Sequence, residues 1–210
     1  MIVVHHLNNS RSQRILWLLE ELGIDYEVKR YERDSSTMLA PAALKEVHPL
    51  GKSPVITDEG QTLAESGAIT DYLAERYGDG KLAPPSGTPD KLRYNYWLHY
   101  SEGSAMPLLV MKLLLDNFGL GDSSVASQFV TPQIKLHFDY LESELSKNEW
   151  FVGEEFTAAD IQMSFPVEAV EAQAGLDASR PKLKAFLERI HTRPAYQRAL
   201  ERGGKYELLT

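Results

Sequence analysis

Two short runs decide the fold of the N-terminal part of the chain: Gly51-Lys52-Ser53-Pro54-Val55-Ile56 and Leu63-Ala64-Glu65-Ser66-Gly67-Ala68-Ile69. In the first, a proline opens an apolar, β-branched segment, which is typical of a strand. The second ends a β-like run on an acid–serine pair, and serine is a residue type that begins helices. Asp58-Glu59-Gly60 lies between the two runs and predicts a tight hairpin turn.

The segments around these runs complete a compact α/β unit. The predicted elements are a strand at 2–7, a helix at 10–23, a parallel strand at 25–31, a short helix within 38–47, strands at 54–57 and 61–64, and a helix at 66–78. Gly23 stands where a helix C-terminus favours a left-handed residue. The order β-α-β-α-β-β-α therefore defines a first domain, residues 1–78.

The rest of the chain predicts a linker and an all-helical domain. Residues 79–89 are rich in glycine and proline, and residues 90–210 contain no convincing strand pattern. The predicted helices are 91–117, kinked near Pro107, then 125–145, 157–173, 181–191 and 194–202. Thr157 and Asp160 have the spacing of a capping box at the start of a largely apolar, central helix.

Composition excludes several classes of function. The chain has 210 residues, a formal net charge of −8 and no basic stripe, so a nucleic-acid partner is not expected. It has no cysteine, which excludes disulfides, a protein thiolate and cysteine-bound zinc. Any sulfur chemistry must use sulfur from a ligand. The N-terminus lacks a signal-peptide pattern and no apolar run approaches ~20 residues, so we expect a cytoplasmic protein without membrane contact.

Pro54 is a candidate cis proline at a peptide-binding edge. A cis bond there would turn the N–H and C=O of Ser53 outward, free to pair with an extended peptide as a short extra strand. The alternative is an ordinary proline that starts a strand.

Two helix starts are candidate anion sites. Ser66 as N-cap offers a hydroxyl and backbone N–H groups to an anion, while Glu65 beside it can bind an ammonium, so the pair suits an α-amino-acid group. Ser10 falls before the first helix, where the positive helix end favours ionisation of a nearby thiol. Its hydroxyl would donate to a thiolate rather than act as a nucleophile. Routine helix capping is the alternative for both sites.

Together these features resemble the cytosolic glutathione transferases. The resemblance rests on Ser10 with Arg14 four residues later, on both runs quoted above, and on Phe156-Thr157-Ala158-Ala159-Asp160 in the helical part. It covers essentially the whole length: an α/β thioredoxin-like N-terminal domain, a linker and an all-α C-terminal domain. The stretch from Ser10 to Gly23 is similar to the serine-using bacterial and fungal members.

The resemblance implies a role for each matching residue. Ser53, before a cis Pro54, would pair with the cysteinyl part of glutathione, and Glu65 and Ser66 would hold its γ-glutamyl end. Lys52, two residues before the proline, suits the glycyl carboxylate; the alternative is a solvated loop lysine.

The residue that stabilises the thiolate is less sharply defined. Counting back four from the arginine, as in theta-like and delta-like members, gives Ser10. Zeta-like members place their serine one position earlier, which here is Asn9, and Ser12 is a third alternative.

The second substrate is expected to be a small hydrophobic electrophile bound between the domains. Tyr96, Tyr100 and Met106 would line its apolar pocket, and Arg11 would lie beside the thiol. Plain core packing is the alternative for the aromatic stripe.

The resemblance implies an enzyme that conjugates the glutathione thiolate to such electrophiles, with glutathione as co-substrate and no metal. It also implies a homodimer that acts in detoxification. One alternative is glutathione-dependent reduction of disulfides or peroxides by a route that uses two glutathiones. The other is a non-catalytic binding module of the same fold.

Overall fold

The computed structural model describes residues 1–121 and 124–209. The chain divides into two compact units, one formed by Met1–Pro84 with the chain from Ile190 onward and the other by Pro85–Arg189. Among the described residues, no helix combines the length and apolar character that crossing a lipid bilayer requires.

The first unit is built on a parallel pair of strands joined by a helix. Strand β1 (Ile2–Leu7) pairs with β2 (Tyr26–Tyr31) in parallel, from Ile2 opposite Tyr26 to Leu7 opposite Tyr31. Helix α1 (Ser12–Leu22) joins them. It ends at Gly23, whose φ of 68° is left-handed and whose N–H donates to the carbonyl of Leu19. The β-α-β prediction is confirmed, although the helix begins two residues after Ser10.

A hairpin completes the sheet. Strands β3 (Val55–Asp58) and β4 (Gln61–Ala64) are antiparallel, and the sheet order is β2-β1-β3-β4. Glu59 and Gly60 both have positive φ, 47° and 80°, as a tight two-residue hairpin turn requires. The predicted turn is therefore confirmed.

Two further helices belong to this sheet domain. Helix α2 (Ala43–Val47) forms the second half of the segment predicted at 38–47, and α3 (Ser66–Tyr77) begins at the predicted serine. The observed order β-α-β-α-β-β-α confirms the thioredoxin-like fold.

The second unit is helical throughout its described elements. They are α4 (Pro89–Tyr100), a π-helical turn (Ser101–Ala105), α5 (Met106–Asn117), α6 (Val125–Leu145), α7 (Ala158–Ala174) and all but the last two residues of α8 (Pro181–His191). The π-helical turn ends at Ala105, two residues before Pro107, a residue that has no N–H to donate. The irregularity predicted near this proline is thus a change of helix type.

Helix α7 is the core of the second unit. Residues 158–170 are buried without interruption, which confirms the prediction of a central helix. The predicted capping box is also present, with Thr157 and Asp160 satisfying each other's backbone N–H groups.

The last helix belongs to the first unit, whereas the sequence places residues 90–210 in one domain. Helix α9 (Pro194–Gly203) puts Tyr196 edge-on to Trp17 of α1, with ring centroids 5.0 Å apart. Arg193 also donates to Glu21 at 2.6 Å. The predicted domain limits 1–78, 79–89 and 90–210 stay a prediction.

Candidate functional site

The start of α3 presents an acid on an unusual backbone. Glu65 occupies the N-cap position with φ 70° and ψ 114°, its side chain makes no capping hydrogen bond, and the residue is exposed. A non-glycine residue at such angles costs about 1–3 kcal/mol, and this strain concentrates at functional sites. The Glu65 carboxylate is therefore presented to solvent, by a backbone conformation that helix capping does not require.

Ser66 is tied to a buried charge behind the helix start. Nη2 of Arg14, a residue only 1 % exposed, donates to Oγ of Ser66 at 3.0 Å. Since the guanidinium is positive and helix N-termini carry partial positive charge, the potential at the start of α3 favours an anion. Arg14 thus links α1 to the acid–serine pair, a role that sequence spacing alone does not show.

Sheet register brings the two runs of the sequence together. Val55 of β3 lies opposite Ala64 of β4, so the residues just outside the hairpin, Pro54 and Glu65, are neighbours across it. The Ser53–Pro54 peptide bond is cis, as predicted. Oγ of Ser53 donates to the carbonyl of His5 at 2.9 Å, which fixes the residue against β1.

The loop before this proline depends on a glycine. Gly51 has φ 58°, and a Cβ there would lie 2.7 Å from Cγ of Lys45 on α2. Lys52, which follows it, is exposed. The loop therefore presents a lysine at the same end of β3 as Ser53.

Ser10 lies at the start of α1 but its hydroxyl faces the interior. The residue is 4 % exposed, and its Oγ accepts from the backbone N–H of Ser12 at 3.2 Å. The Oγ atoms of Ser10 and Ser12 are 2.7 Å apart. Ser12 in turn contacts Nδ1 of His6 at 2.8 Å.

Asn9 is held by the C-terminal segment. Its Nδ2 donates to Oε2 of Glu207 at 2.7 Å, and the backbone N–H of Glu207 donates back to its Oδ1 at 2.8 Å. The φ of Asn9 is 48°, a left-handed value that asparagine tolerates. One of the two N–H donors of Asn9, the alternative residue for stabilising the thiolate, is therefore engaged by a carboxylate of the same unit.

Arg33 is a feature of the site that sequence reasoning missed. Its Nε donates to the carbonyl of Asn8 and its Nη2 to that of Asn9, both at 3.2 Å. Burial, followed by the nearby charge of Arg11, lowers the pKa of Arg33, although a guanidinium stays charged. Two positive charges thus flank the loop that carries Ser10. A lone arginine after a strand gives no sequence signal for this role.

The predicted electrophile-pocket residues of the second unit join an aromatic cluster. Tyr96 is exposed and donates to the hydroxyl of Tyr140 at 3.2 Å. Tyr100 is buried and 2.6 Å from Nδ1 of His137, and burial raises its pKa. Met106 is buried at the start of α5. The structure brings Tyr96 and Tyr100 together, with ring centroids 5.6 Å apart.

Two family models match the chain. Residues 1–75 match the glutathione S-transferase N-terminal domain, and residues 126–194 match the glutathione S-transferase C-terminal domain.

Two of the known proteins similar to the chain are named glutathione S-transferases, and a third is named an oxidoreductase. Glutathione S-transferase 3 of Schizosaccharomyces pombe is 36% identical, in a match that covers 96% of this chain and 88% of that protein. A crystal structure of a glutathione S-transferase from Actinobacillus pleuropneumoniae superposes with a TM-score of 0.89 at 38% identity, covering 99% and 94% of the two chains. The disulfide-bond oxidoreductase YfcG of Escherichia coli is 28% identical, covering 95% and 94%.

Proposed function

Because the chain belongs to the glutathione S-transferase family, and is therefore a glutathione transferase, we propose how its first unit holds glutathione. The γ-glutamyl end binds at Glu65 and Ser66, and the cysteinyl part pairs with the backbone of Ser53 beside Pro54. The observation that carries this assignment is the register of β3 and β4, which makes these two runs neighbours.

Charge supports the orientation of the ligand. The exposed carboxylate of Glu65 suits the α-ammonium of the glutamyl group, and the Arg14-backed N-terminus of α3 suits its α-carboxylate. Lys52 is exposed on the preceding loop and supplies a cation for the glycyl carboxylate. The zwitterionic end and the anionic end of the tripeptide thus each meet the opposite charge in a protein whose net charge is −8.

In this proposal the thiol end reaches the start of α1. Ser10 donates a hydrogen bond to the thiolate, and the helix N-terminus together with Arg11 and Arg33 favours the anion electrostatically. The thiolate then attacks an electrophilic carbon, and the leaving group departs with the displaced electron pair. We propose a small hydrophobic electrophile, with Arg11, Tyr96, Tyr100 and Met106 as the residues that select it.

Reduction of disulfides is the second candidate function. It is favoured by similarity to a relative named as a disulfide-bond oxidoreductase. Since the chain has no cysteine, such a reaction must use two glutathione thiols. The first attacks the substrate disulfide and forms a mixed disulfide, releasing one substrate thiol. The second attacks that mixed disulfide, which releases the other substrate thiol and forms oxidised glutathione. Asn9 is the alternative thiolate contact for this route, through the second N–H of the amide whose first N–H donates to Glu207.

Three broader properties complete the proposal. We infer that the enzyme acts in the cytoplasm, as a homodimer, in the detoxification of electrophiles. Membership of the glutathione S-transferase family supports these three proposals.

Parallel rate measurements separate the two reactions. The purified protein is assayed with glutathione and an aryl halide, and separately with a mixed disulfide of glutathione. We expect conjugation to exceed disulfide reduction, and Ser10→Ala to lower conjugation by about tenfold, as the loss of one hydrogen bond to an anion implies. Faster disulfide reduction than conjugation would favour the second function, and an unchanged rate in Ser10→Ala would remove Ser10 from the mechanism.

A further inference from the structure

A chain of buried hydrogen bonds runs inward from the proposed thiolate site. The Oγ atoms of Ser10 and Ser12 are 2.7 Å apart, and Oγ of Ser12 is 2.8 Å from Nδ1 of His6. All three residues are buried, with Ser12 fully enclosed. Water therefore does not compete for these protons, and the direction of each hydrogen bond follows from the partners present.

The direction of these hydrogen bonds is fixed at the inner end of the series, at His6. Burial lowers the pKa of His6 to about 4, with the charge of Arg30 acting in the same sense, so the ring is neutral near pH 7 and carries one proton. A hydrogen bond to the backbone of Gly203 favours the protonated ring, so a ring N–H donates there. Gly203 lies so close that a Cβ on it would be 3.4 Å from Cε1 of His6. Nδ1, which faces Ser12, is then the nitrogen with the lone pair.

The remaining protons follow in sequence. Ser12 has one hydroxyl proton and two acceptors within reach, Nδ1 of His6 at 2.8 Å and the carbonyl of Leu7 at 3.3 Å. The shorter contact, to His6, takes the proton, and neither acceptor is Ser10. The short contact between the two serine hydroxyls must therefore use the proton of Ser10. The other interaction of Ser10 Oγ accepts the N–H of Ser12. Without ligand, the proton that the proposed mechanism needs is directed at Ser12.

We propose that Ser12 and His6 are positioning residues that hold the Ser10 hydroxyl proton away from the ligand, so that Ser12 and the glutathione sulfur compete for it. This inference rests on the proposed role of Ser10. When Ser10 turns its proton to the thiolate, Ser12 donates to Ser10 instead. His6 then satisfies Ser12 by moving its ring proton from Nε2 to Nδ1, and the number of protons in the chain is unchanged.

Because Ser12 competes for the Ser10 proton, it should hinder ionisation of the bound thiol, whereas a residue that supported Ser10 would favour it. When the hydrogen bonds among these three residues reverse, the one between His6 and Gly203 is lost. The free energy of that lost bond is subtracted from the stabilisation that Ser10 gives the thiolate. Deleting the Ser12 hydroxyl removes the competitor. The thiol of bound glutathione should then ionise more readily, although a buried group has been lost.

The test is the pKa of the bound glutathione thiol in three variants, measured from thiolate absorbance. We expect Ser12→Ala to lower it by about 0.5–1, the equivalent of one net hydrogen bond. Ser12→Thr keeps the hydroxyl and should match the wild type. Ser10→Ala should raise the pKa, and adding Ser12→Ala to it should cause no further change. A raised or unchanged pKa in Ser12→Ala would overturn the inference.

A measurement on the unmodified protein serves if Ser12→Ala does not fold. Nitrogen-15 NMR of the His6 ring identifies the protonated nitrogen, and we expect Nε2 without ligand and Nδ1 with glutathione bound. The same tautomer in both states would refute the proposed reversal. Binding of glutathione and conjugation of an aryl halide by the wild type are measured alongside. Their absence would instead refute the proposed function, whereas normal activity with an unchanged tautomer refutes this inference alone.

Discussion

Two helices of the molecule begin with a hydroxyl residue and an acid, and the two starts are built in opposite ways. At the start of α7, Asp160 is fully buried and accepts from the backbone N–H groups of Phe151 and Thr157, each at 2.8 Å. Thr157 has ordinary extended angles, with φ −131°. At the start of α3, Glu65 is exposed, with φ 70° and no capping hydrogen bond.

The contrast distinguishes an acid that holds the fold from one presented to a ligand. Burial raises the pKa of Asp160 to about 6, against the opposing pull of its hydrogen-bond donors. That carboxylate is already satisfied within its own unit. Glu65 has the reverse features, a strained backbone and an exposed charge. Residue type is therefore a poor guide to role at a helix start, and hydrogen-bond partners are a better one.

The largest expected effect tests the structural side of this contrast. Asp160→Ala leaves two buried N–H groups without their acceptor and removes the capping box, so we expect a loss of about 3 kcal/mol in the free energy of unfolding. Urea denaturation measures it. Asp177→Ala is the matched control, because that aspartate is exposed and its carboxylate accepts from the backbone N–H and the hydroxyl of Ser179 in its own turn. A similar loss of unfolding free energy in both variants would contradict the structural role assigned to Asp160.

A second buried group should make stability depend on pH. The pKa of His6 is lowered from 6.5 to about 4 in the folded protein, so the unfolded chain binds the proton more tightly and stability falls as pH drops through this window. Between pH 7.5 and pH 5 the contribution amounts to about 2 kcal/mol.

Comparison with a variant isolates this contribution. His6→Asn has no titrating ring, so the difference in unfolding free energy between it and the wild type should narrow as the pH falls to 5. A constant difference across that range would show that His6 titrates alike in the folded and unfolded chains.

The functional side of the contrast is tested at Glu65. Glu65→Gln should weaken glutathione binding by about tenfold, or ~1.4 kcal/mol, because it removes a charge-assisted hydrogen bond, while stability stays unchanged. Glu65→Gly should stabilise the protein by about 1 kcal/mol by relieving the positive φ, yet also lose affinity. Calorimetric titration and denaturation report the two effects.

The control for Glu65 is Glu46→Gln on α2, another exposed acid of the first unit. Glu46→Gln should change neither the affinity for glutathione nor the free energy of unfolding. If Glu65→Gln kept full affinity, or lost stability as Asp160→Ala does, the two helix starts would not differ in role.

The smallest effect is expected at Lys52. Since this lysine is exposed, its proposed attraction for the glycyl carboxylate is screened, and Lys52→Ala should weaken binding about threefold. The effect should shrink in high salt. A salt-independent loss would point to a packing role instead.

Local patterns made much of the fold predictable from sequence. The hairpin turn, the limits of the helix at 125–145 and the capping box of α7 each depend on residues close together in the chain. The positions of Ser53, Glu65 and Ser66 relative to one another follow from the same hairpin.

What sequence could not show depends on partners far apart in the chain. The contact of Asn9 with Glu207 joins residues 198 positions apart, and that of Arg193 with Glu21 joins residues 172 apart. No periodicity marks such pairs. The return of α9 to the first unit, the placement of Arg33 and the inward hydroxyl of Ser10 became visible only with the tertiary structure.

The proposed catalysis depends most on ionisation of a bound thiol by the start of α1. Titrating the thiolate absorbance of glutathione on the wild-type protein tests this directly, with free glutathione under the same conditions as reference. We expect the bound thiol to ionise at a clearly lower pH than the free thiol, whose pKa is ~8.5. Tight binding with an unshifted thiol pKa would contradict the account.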